Sequence, residues 1–406
     1  MYLGSGAVLS GFTLTNGFAD MIGGGVFCEP SGVATNCTLK GNWAISLGGG
    51  MYGGTLYNCT LCGNAAIGAG GGVCGSTLYN CTLTNNRVQS APVGLTLGGG
   101  ACGCTLNNCT VAGNGNGGVY GSTLYNCTVT SNLGGWAAVW GSTLYNSTVT
   151  DNSSRGLVGS TLYNCMVTGN LREAVTGSRL YNCTVAGNSY GGVYGGSTLY
   201  NSIIYYNSGG NYDESTTLNF CCTTPLPTNG VGNITGPPLF MDMAAGDFRL
   251  REESPCIDAG TNLLGLTWTY GTGTYDPDTG EEIMAVAFYA HDPTDMLGNT
   301  RFIDGNFDGR VAWDNGAYEF NSFRPPRFTC PPQLMPDCWK LSITGPPNKW
   351  VRLQRSSDLK NWEDWWERSD GNRGSPSPVF MGEAGIGQFN DEDISQKAMF
   401  YRVVVE

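Results

Sequence analysis

The chain has 406 residues and a formal net charge of -12, with only 13% charged residues against 63 glycines and 17 cysteines. An acidic balance with no basic stripe argues against nucleic acid or an anionic membrane surface as a partner. No run of eighteen apolar residues occurs, so no membrane span is encoded in this chain.

From Met1 the chain runs almost directly into GAVLSGFTLTNG, residues 6–17, with no basic n-region or apolar h-region ahead of it. A first coil without a cap leaves a row of unpaired strand groups. The expectation is that upstream sequence is missing or that another molecule covers this end. One phrase then recurs up to residue 210: TLYNCT at 55–60, STLYNCT at 76–82 and 122–128, STLYNST at 142–148, STLYNC at 160–165, SRLYNCT at 178–184 and STLYNS at 197–202. Its Asn falls at 36, 58, 80, 108, 126, 146, 164, 182 and 201, in steps of 22, 22, 28, 18, 20, 18, 18 and 19 residues. Between the phrases lie runs such as GGVF, GGMY, GGVC, GGAC and GGVY. So short a period, rich in Gly, Thr and Val and without the spaced leucines of a leucine-rich repeat, predicts an all-β solenoid. Its form is a right-handed parallel β-helix of about nine to ten coils, turned at Gly and Asn corners.

Stacking coil on coil places equivalent residues above one another at about 4.8 Å, for a rod roughly 45 Å long. The predicted inward columns are Leu56, Leu78, Leu106, Leu124, Leu144, Leu162, Leu180 and Leu199; Val26, Met51, Val73, Ala101, Val119, Val139, Leu157, Ala174 and Val193; and Cys37, Cys59, Cys81, Cys109, Cys127, Cys165 and Cys183. Ser147 and Ser202 fill missing steps of the cysteine column, and Phe12 takes its place in the first coil. Cys and Ser are of similar size, so the column reads as packed rather than reactive. The Asn of the phrase is expected to form a buried amide ladder.

From about 211 to 322 the repeat fades. SPCIDAG (Ser254 to Gly260), the Leu297 to Arg301 stretch LGNTR and DNGAYEF (Asp314 to Phe320) resemble the terminal region of secreted bacterial right-handed β-helix proteins of the choice-of-anchor Q type. The phrase LYNCTVTGN and the opening VLSGFTLTNG are similar to the coils of the same family, so the resemblance spans roughly residues 6–320. It implies that 211–322 seals the last coil and leads to a variable attachment module, and that a signal peptide and further coils normally precede. After Pro325 and Pro326 a new register begins, with alternating strands around Trp339, Trp350, Trp362 and Phe400, and it predicts a small β-sandwich over 323–406. VRLQRSSDLKNW (Val351 to Trp362) and the closing FYRVVV resemble the C-terminal sandwich of secreted proteins of Verrucomicrobia and related bacteria, which implies an attachment role. The predicted division is 1–210 coils, 211–322 terminal coils and cap, 323–406 sandwich.

Sugar-cleaving chemistry on such a rod needs paired carboxylates, or a basic residue beside calcium-binding acids, on neighbouring coils. Residues 1–210 hold only Asp20, Glu29, Asp151, Glu173, Lys40, Arg87, Arg155, Arg172 and Arg179, which read as scattered loop charges. The column Tyr57, Tyr79, Tyr125, Tyr145, Tyr163, Tyr181 and Tyr200 reads as cross-coil stacking for rigidity, with stacking on the faces of a glycan as the alternative. An odd cysteine count leaves at least one thiol unpaired or paired with another chain. The disulfide candidates are Cys330 with Cys338, Cys74 with Cys102, and Cys221 or Cys222 with Cys256. Cys59 and Cys62 lack a second ligand pair for a metal, and His291 is placed in a surface loop. Asp304, Asn306 and Asp308, with Asp314 near the last position, resemble part of a calcium loop, so the alternatives are a structural calcium and an ordinary Asx-rich turn. Most of the Asn-x-Ser/Thr triplets are expected to be buried by-products of the ladder.

These readings predict an extracellular structural or adhesive protein rather than an enzyme: a stiff rod that stacks end to end with itself or meets a cell-surface glycan. The competing class is a polysaccharide lyase, a hydrolase or a glycan-binding module.

Overall fold

The computed structural model describes residues 1–89, 97–261, 267–275, 282–288, 295–297, 299, 301, 312–320, 327–328, 333–334, 339–344, 350–356, 363–365, 379–380, 386–391 and 400–405. Two compact units are present: 1–261 with 294–299 and 314–318, and 262–293 with 300–313 and 319–406.

In the first unit, the coils lay short strands into three parallel sheets of ten, eleven and eleven strands. Taken in chain order, one coil contributes Val119–Tyr120 to the first sheet, Thr123–Tyr125 to the second and Thr128–Thr130 to the third. Parallel crossovers turn right-handed, and the fold is the expected right-handed parallel β-helix. A fourth flank of four strands, Phe18–Ala19, Trp43–Ala44, Ala65–Ala66 and Arg87–Val88, accompanies only the early coils.

Each strand is two to four residues long, because the sequence alternates inward apolar and outward polar or aromatic residues over that length before a corner. The second sheet stacks Leu56, Leu78, Leu106, Leu124, Leu144, Leu162, Leu180 and Leu199 in strict register. The third stacks Leu61, Leu83, Val111, Val129, Val149, Val167, Val185 and Ile204. All of these side chains are fully buried, and each such burial contributes about 1.5–3 kcal/mol. The first-sheet column matches the expectation except at one step. Val175, not Ala174, registers between Leu157 and Val193. The strand there is four residues long, Glu173–Thr176, and the inward position falls one residue later; Ala174 is buried beside the column.

The corners explain why these residue types recur. The Asn of the phrase adopts the left-handed conformation at every coil from Asn36 to Asn201, with φ between 47° and 53°. Asn tolerates this region because its short amide bonds locally. In the later coils the expected ladder is present: Asn164, Asn182 and Asn201 are buried, and each Nδ2 donates to the Oδ1 of the phrase Asn one coil earlier at 3.2–3.3 Å. In the early coils the expectation of burial is corrected, since Asn36, Asn58, Asn80, Asn108 and Asn126 are exposed, although Asn80 still donates to Asn58 at 3.3 Å. A longer amide ladder, buried in every coil, sits six residues further on, at Asn42, Asn64, Asn86, Asn114, Asn132, Asn152, Asn170, Asn188 and Asn207, and ends on Asn211. Each Nδ2 donates to the Oδ1 of the next rung at 2.8–3.1 Å. The same Oδ1 accepts the backbone N–H of the rung before it, as Asn64 does from Asn42 at 2.9 Å.

The cysteine column is a ladder of the same kind. Backbone N–H groups donate to the sulfur or hydroxyl of the next coil, from Cys37 to Cys59 at 3.4 Å through Cys127 to Ser147 at 3.0 Å and Cys183 to Ser202 at 3.1 Å. Burial holds the Cys165 thiol well above its ordinary range and pushes that of Cys221 up to about 12. Phe12 occupies the column's backbone position, its carbonyl accepting the Thr38 N–H at 2.8 Å. Its ring is 56% exposed, because it is too large for a corner sized for Cys or Ser. A further hydroxyl ladder that the sequence reading did not anticipate links Cys104, Ser122, Ser142, Ser160, Ser178 and Ser197 between first and second sheets at 3.0–3.2 Å.

Beyond the last full coil, Asn233 imitates a further rung, accepting the Cys221 N–H at 2.9 Å and donating to Leu218 O at 2.7 Å. The chain then returns along the flank. Thr261 and Asn201 exchange hydrogen bonds of 2.7 and 2.9 Å, Gly316 N–H reaches Asn201 O at 2.8 Å, and Ala317 N–H reaches Thr184 Oγ1 at 3.1 Å.

The second unit contains a hairpin of Thr267–Tyr275 with Glu282–Phe288. It also holds two antiparallel sheets centred on Trp339–Thr344 and Trp350–Ser356. Within this unit Arg301 and Glu319 form a fully buried ion pair at 3.1 Å.

Candidate functional site

Because inward positions are filled by ladders, the outward residues of the coils are what a partner meets. On the second sheet the tyrosines of the phrase stack face to face. Tyr57 and Tyr79 lie 4.9 Å apart between ring centroids with an 8° tilt, Tyr125 and Tyr145 repeat those values, and Tyr145, Tyr163, Tyr181 and Tyr200 continue at 5.0, 5.1 and 5.7 Å. Asn107 stands between Tyr79 and Tyr125 and divides the column into two runs. Tyr57 is 40% exposed and Tyr125 38%, whereas Tyr163 and Tyr181 are buried. Only the early part of the stack is therefore an open aromatic surface. Desolvation raises the Tyr145 and Tyr181 hydroxyls above the usual phenol range.

A second aromatic column lies on the outer face of the first sheet. Tyr2, Phe27 and Tyr52 stack at 5.8 and 6.0 Å, and Tyr120 meets Trp140 edge-on at 5.8 Å. Cys74 and Cys102 occupy the two positions between these groups. The signal for this column was the last residue of GGVF, GGMY, GGVC, GGAC and GGVY, which reads as a set only once the strands are registered.

The charges are less scattered than expected. Arg155 and Glu173, 18 positions apart, meet on adjacent coils at 3.2 Å, each about one-fifth exposed. Arg155 also lies 4.6 Å from the Trp136 ring centroid in a cation–π contact. Asp151 lies instead at a cleft of about 330 Å³ lined by Thr150, Thr168, Gly187, Met243 and Phe248. Asp151 is the one carboxylate lining that cleft, whereas acid–base cleavage of a glycosidic bond draws on a pair.

The remaining candidate residues fall as follows. All fifteen described cysteines carry free thiols, including Cys74, Cys102, Cys221 and Cys256. Cys221 points into the bore and is hydrogen-bonded to Asn219 O at 3.2 Å. Burial, and next a hydrogen bond with the Cys222 thiol, hold Cys256 well above the ordinary thiol range, which makes Cys222 rather than Cys221 its neighbour. Asp314 is buried and accepts the Asp258 N–H at 2.8 Å. Asp304, Asn306, Asp308, Cys330, Cys338 and His291 lie outside the described residues. Among the described residues no group of three His, Cys, Asp or Glu side chains is placed to hold a metal ion, and no helix is long and apolar enough to cross a membrane. Asn152 is buried as expected of a sequon within a ladder, but Asn36, Asn58, Asn80, Asn108 and Asn126 are exposed, contrary to the expectation for most such triplets.

No known protein family matches the chain, and no curated protein matches it. Among solved structures the chain is similar to a pectate lyase, at 13% identity over 77% of this chain and 87% of the other with a TM-score of 0.41. It is also similar to the mannuronan C-5 epimerase A-module of Azotobacter vinelandii, at 14% identity over 58% and 80% with a TM-score of 0.29. A tailspike of an Acinetobacter baumannii bacteriophage, described as a capsular polysaccharide depolymerase, matches at 8% identity over 98% and 73% with a TM-score of 0.27.

Proposed function

We propose that the protein is a non-catalytic adhesive rod of the cell exterior, a stiff spacer whose coils resist bending and whose flanks make the contacts. The observation that carries this reading is the unbroken amide ladder from Asn42 to Asn211, in which every rung is buried and bonded to the next. A solenoid with a continuous internal ladder is stiff along its axis because each coil is held by both neighbours. Small-angle scattering and negative-stain imaging of the purified chain test it. Straight particles of constant length support the rod, and bent or collapsed particles overturn it. Incubation with pectin, alginate and chondroitin, followed at the absorbance of unsaturated uronides, tests the non-catalytic part. Release of unsaturated product refutes it.

A second reading, glycan contact, is favoured by the exposed end rings of the two runs, Tyr57 beside Thr35 and Tyr125 beside Asn107, each with one face that no other ring covers and on which a sugar ring can stack. Retention on insoluble glycans that is lost in a Tyr57→Ala/Tyr125→Ala variant supports this reading, and equal retention of the variant removes it. End-to-end assembly is tested by sedimentation over a hundredfold range of concentration, where an unchanging monomer counts against it.

A further inference from the structure

Two aromatic contacts lapse between the coil that begins at Val73 and the coil that begins at Ala101, and the fourth flank crosses this junction only as an isolated bridge of Arg87 with Gly115. The tyrosine stack on the second sheet breaks where Tyr79 registers with Asn107. The aromatic column on the first sheet breaks at Cys74 and Cys102. The same junction spans the longest step of the repeat, 28 residues from Asn80 to Asn108. Both outer aromatic columns are interrupted at this joint, and its outer face carries two thiols in direct register.

We propose that Cys74 and Cys102 form a disulfide that staples these two coils together, a covalent replacement for the aromatic contacts missing at this joint. Neighbouring strands stand about 4.8 Å apart, inside the roughly 4.4–6.8 Å Cα separation that a disulfide spans. The bore cysteines share this spacing but differ in bonding. Cys59 and Cys81, for example, each accept a backbone N–H from the preceding coil and donate to backbone carbonyls. Cys104, the nearest competitor, is buried and directs its thiol to Cys102 O at 3.2 Å. Cys102 is partly exposed and Cys74 is buried. A hydrogen bond from the Cys74 thiol lowers the Cys102 pKa, so Cys102 is the entry nucleophile.

The oxidant is a disulfide, either of an oxidoreductase or of a small thiol. The Cys102 thiolate attacks one of its sulfurs and releases the other as a thiolate. Cys74 then gives its proton to solvent and attacks the Cys102 sulfur, expelling the second thiolate. Two protons and two electrons leave the pair, and the oxidant is reduced to two thiols.

The test equilibrates the full chain in glutathione buffers from reducing to oxidising, alkylates free thiols under denaturing conditions, and maps a non-reduced peptic digest by mass spectrometry. The expected result is a linked peptide containing Cys74 and Cys102, lighter by two hydrogens than the free pair, with Cys59, Cys81, Cys109 and Cys127 recovered as alkylated thiols. Alkylated Cys74 and Cys102 in every buffer, or Cys102 linked to Cys104, overturns the pairing. Hydrogen exchange tests the staple: amides of 73–74 and 101–102 are expected to exchange several-fold faster after reduction, and a Cys74→Ser/Cys102→Ser variant is expected to exchange at one rate in both conditions. Equal exchange of the oxidised and reduced wild-type chain overturns the mechanical role even where the bond forms.

Discussion

Replacing Asn132 with Ala removes one rung from the middle of the amide ladder. The Asn132 side chain donates to Asn152 Oδ1 and Val111 O, each at 3.0 Å, and its Oδ1 accepts both the backbone N–H and the Nδ2 of Asn114 at 3.0 Å. The variant strands the Asn114 backbone N–H and one Nδ2 hydrogen, the other keeping Leu83 O and Ala112 O, and it removes the donor to Val111 O. Each buried group stranded in this way costs about 1–3 kcal/mol, so a loss of about 3–5 kcal/mol is expected. The fitting control is Asn126→Ala. Asn126 is exposed and has φ of 52°, and Ala lacks the short amide that eases Asn into the left-handed conformation, so this change costs up to about 1–2 kcal/mol. Urea titrations followed by tyrosine fluorescence compare the two, and hydrogen exchange locates the opening at the coils on either side of residue 132. Equal destabilisation by the two variants would falsify the assignment of the inner Asn residues as the ladder.

Other positions test the remaining layers. Gly49→Ala is expected to disrupt its coil outright, because a Cβ there would collide with the backbone carbonyls of Ala65 and Gly71, with no flexible side chain to yield; a soluble variant with unchanged circular dichroism would contradict the packing. Leu124→Ala empties a fully buried position of the bore and is expected to cost about 2–5 kcal/mol in denaturant titrations, whereas a cost below 1 kcal/mol would mean that the bore is not close-packed. Burial pushes the Cys104 and Cys221 thiols up to about 12 from an ordinary value of 9.0. The unfolded chain then releases these protons first as pH rises, so this part of the stability is complete below about pH 9 and declines towards about pH 12. Titrations in reductant check the sign, and stability that rises over this window would refute it.

Much of the architecture was legible because a solenoid is quasi-one-dimensional. The spacing of the Leu and Cys columns translates directly into register. The asparagines show where that logic stops. Every coil carries an Asn in its phrase and another six residues later, and both recur with the same period. The second is buried in every coil and the first only from Asn164 onward, a difference set by what packs outside each coil, such as the return of Thr261 onto Asn201. Val175 takes the inward place because it is the third residue of its four-residue strand, as Val139 and Leu157 are of theirs.

Period, apolar alternation and the cysteine column are local properties of the chain, so by themselves they prescribe a β-helix with a packed bore. The tertiary structure decided everything that depends on which residues of different coils share a flank: the Arg155–Glu173 pair, the first-sheet aromatic column interrupted by Cys74 and Cys102, and the return of residues 314–317 onto Asn201 and Thr184. Such contacts join residues from 18 to more than a hundred positions apart. Their partners are selected by the length of each corner and by the path of the chain after the last coil, neither of which is encoded in any single repeat.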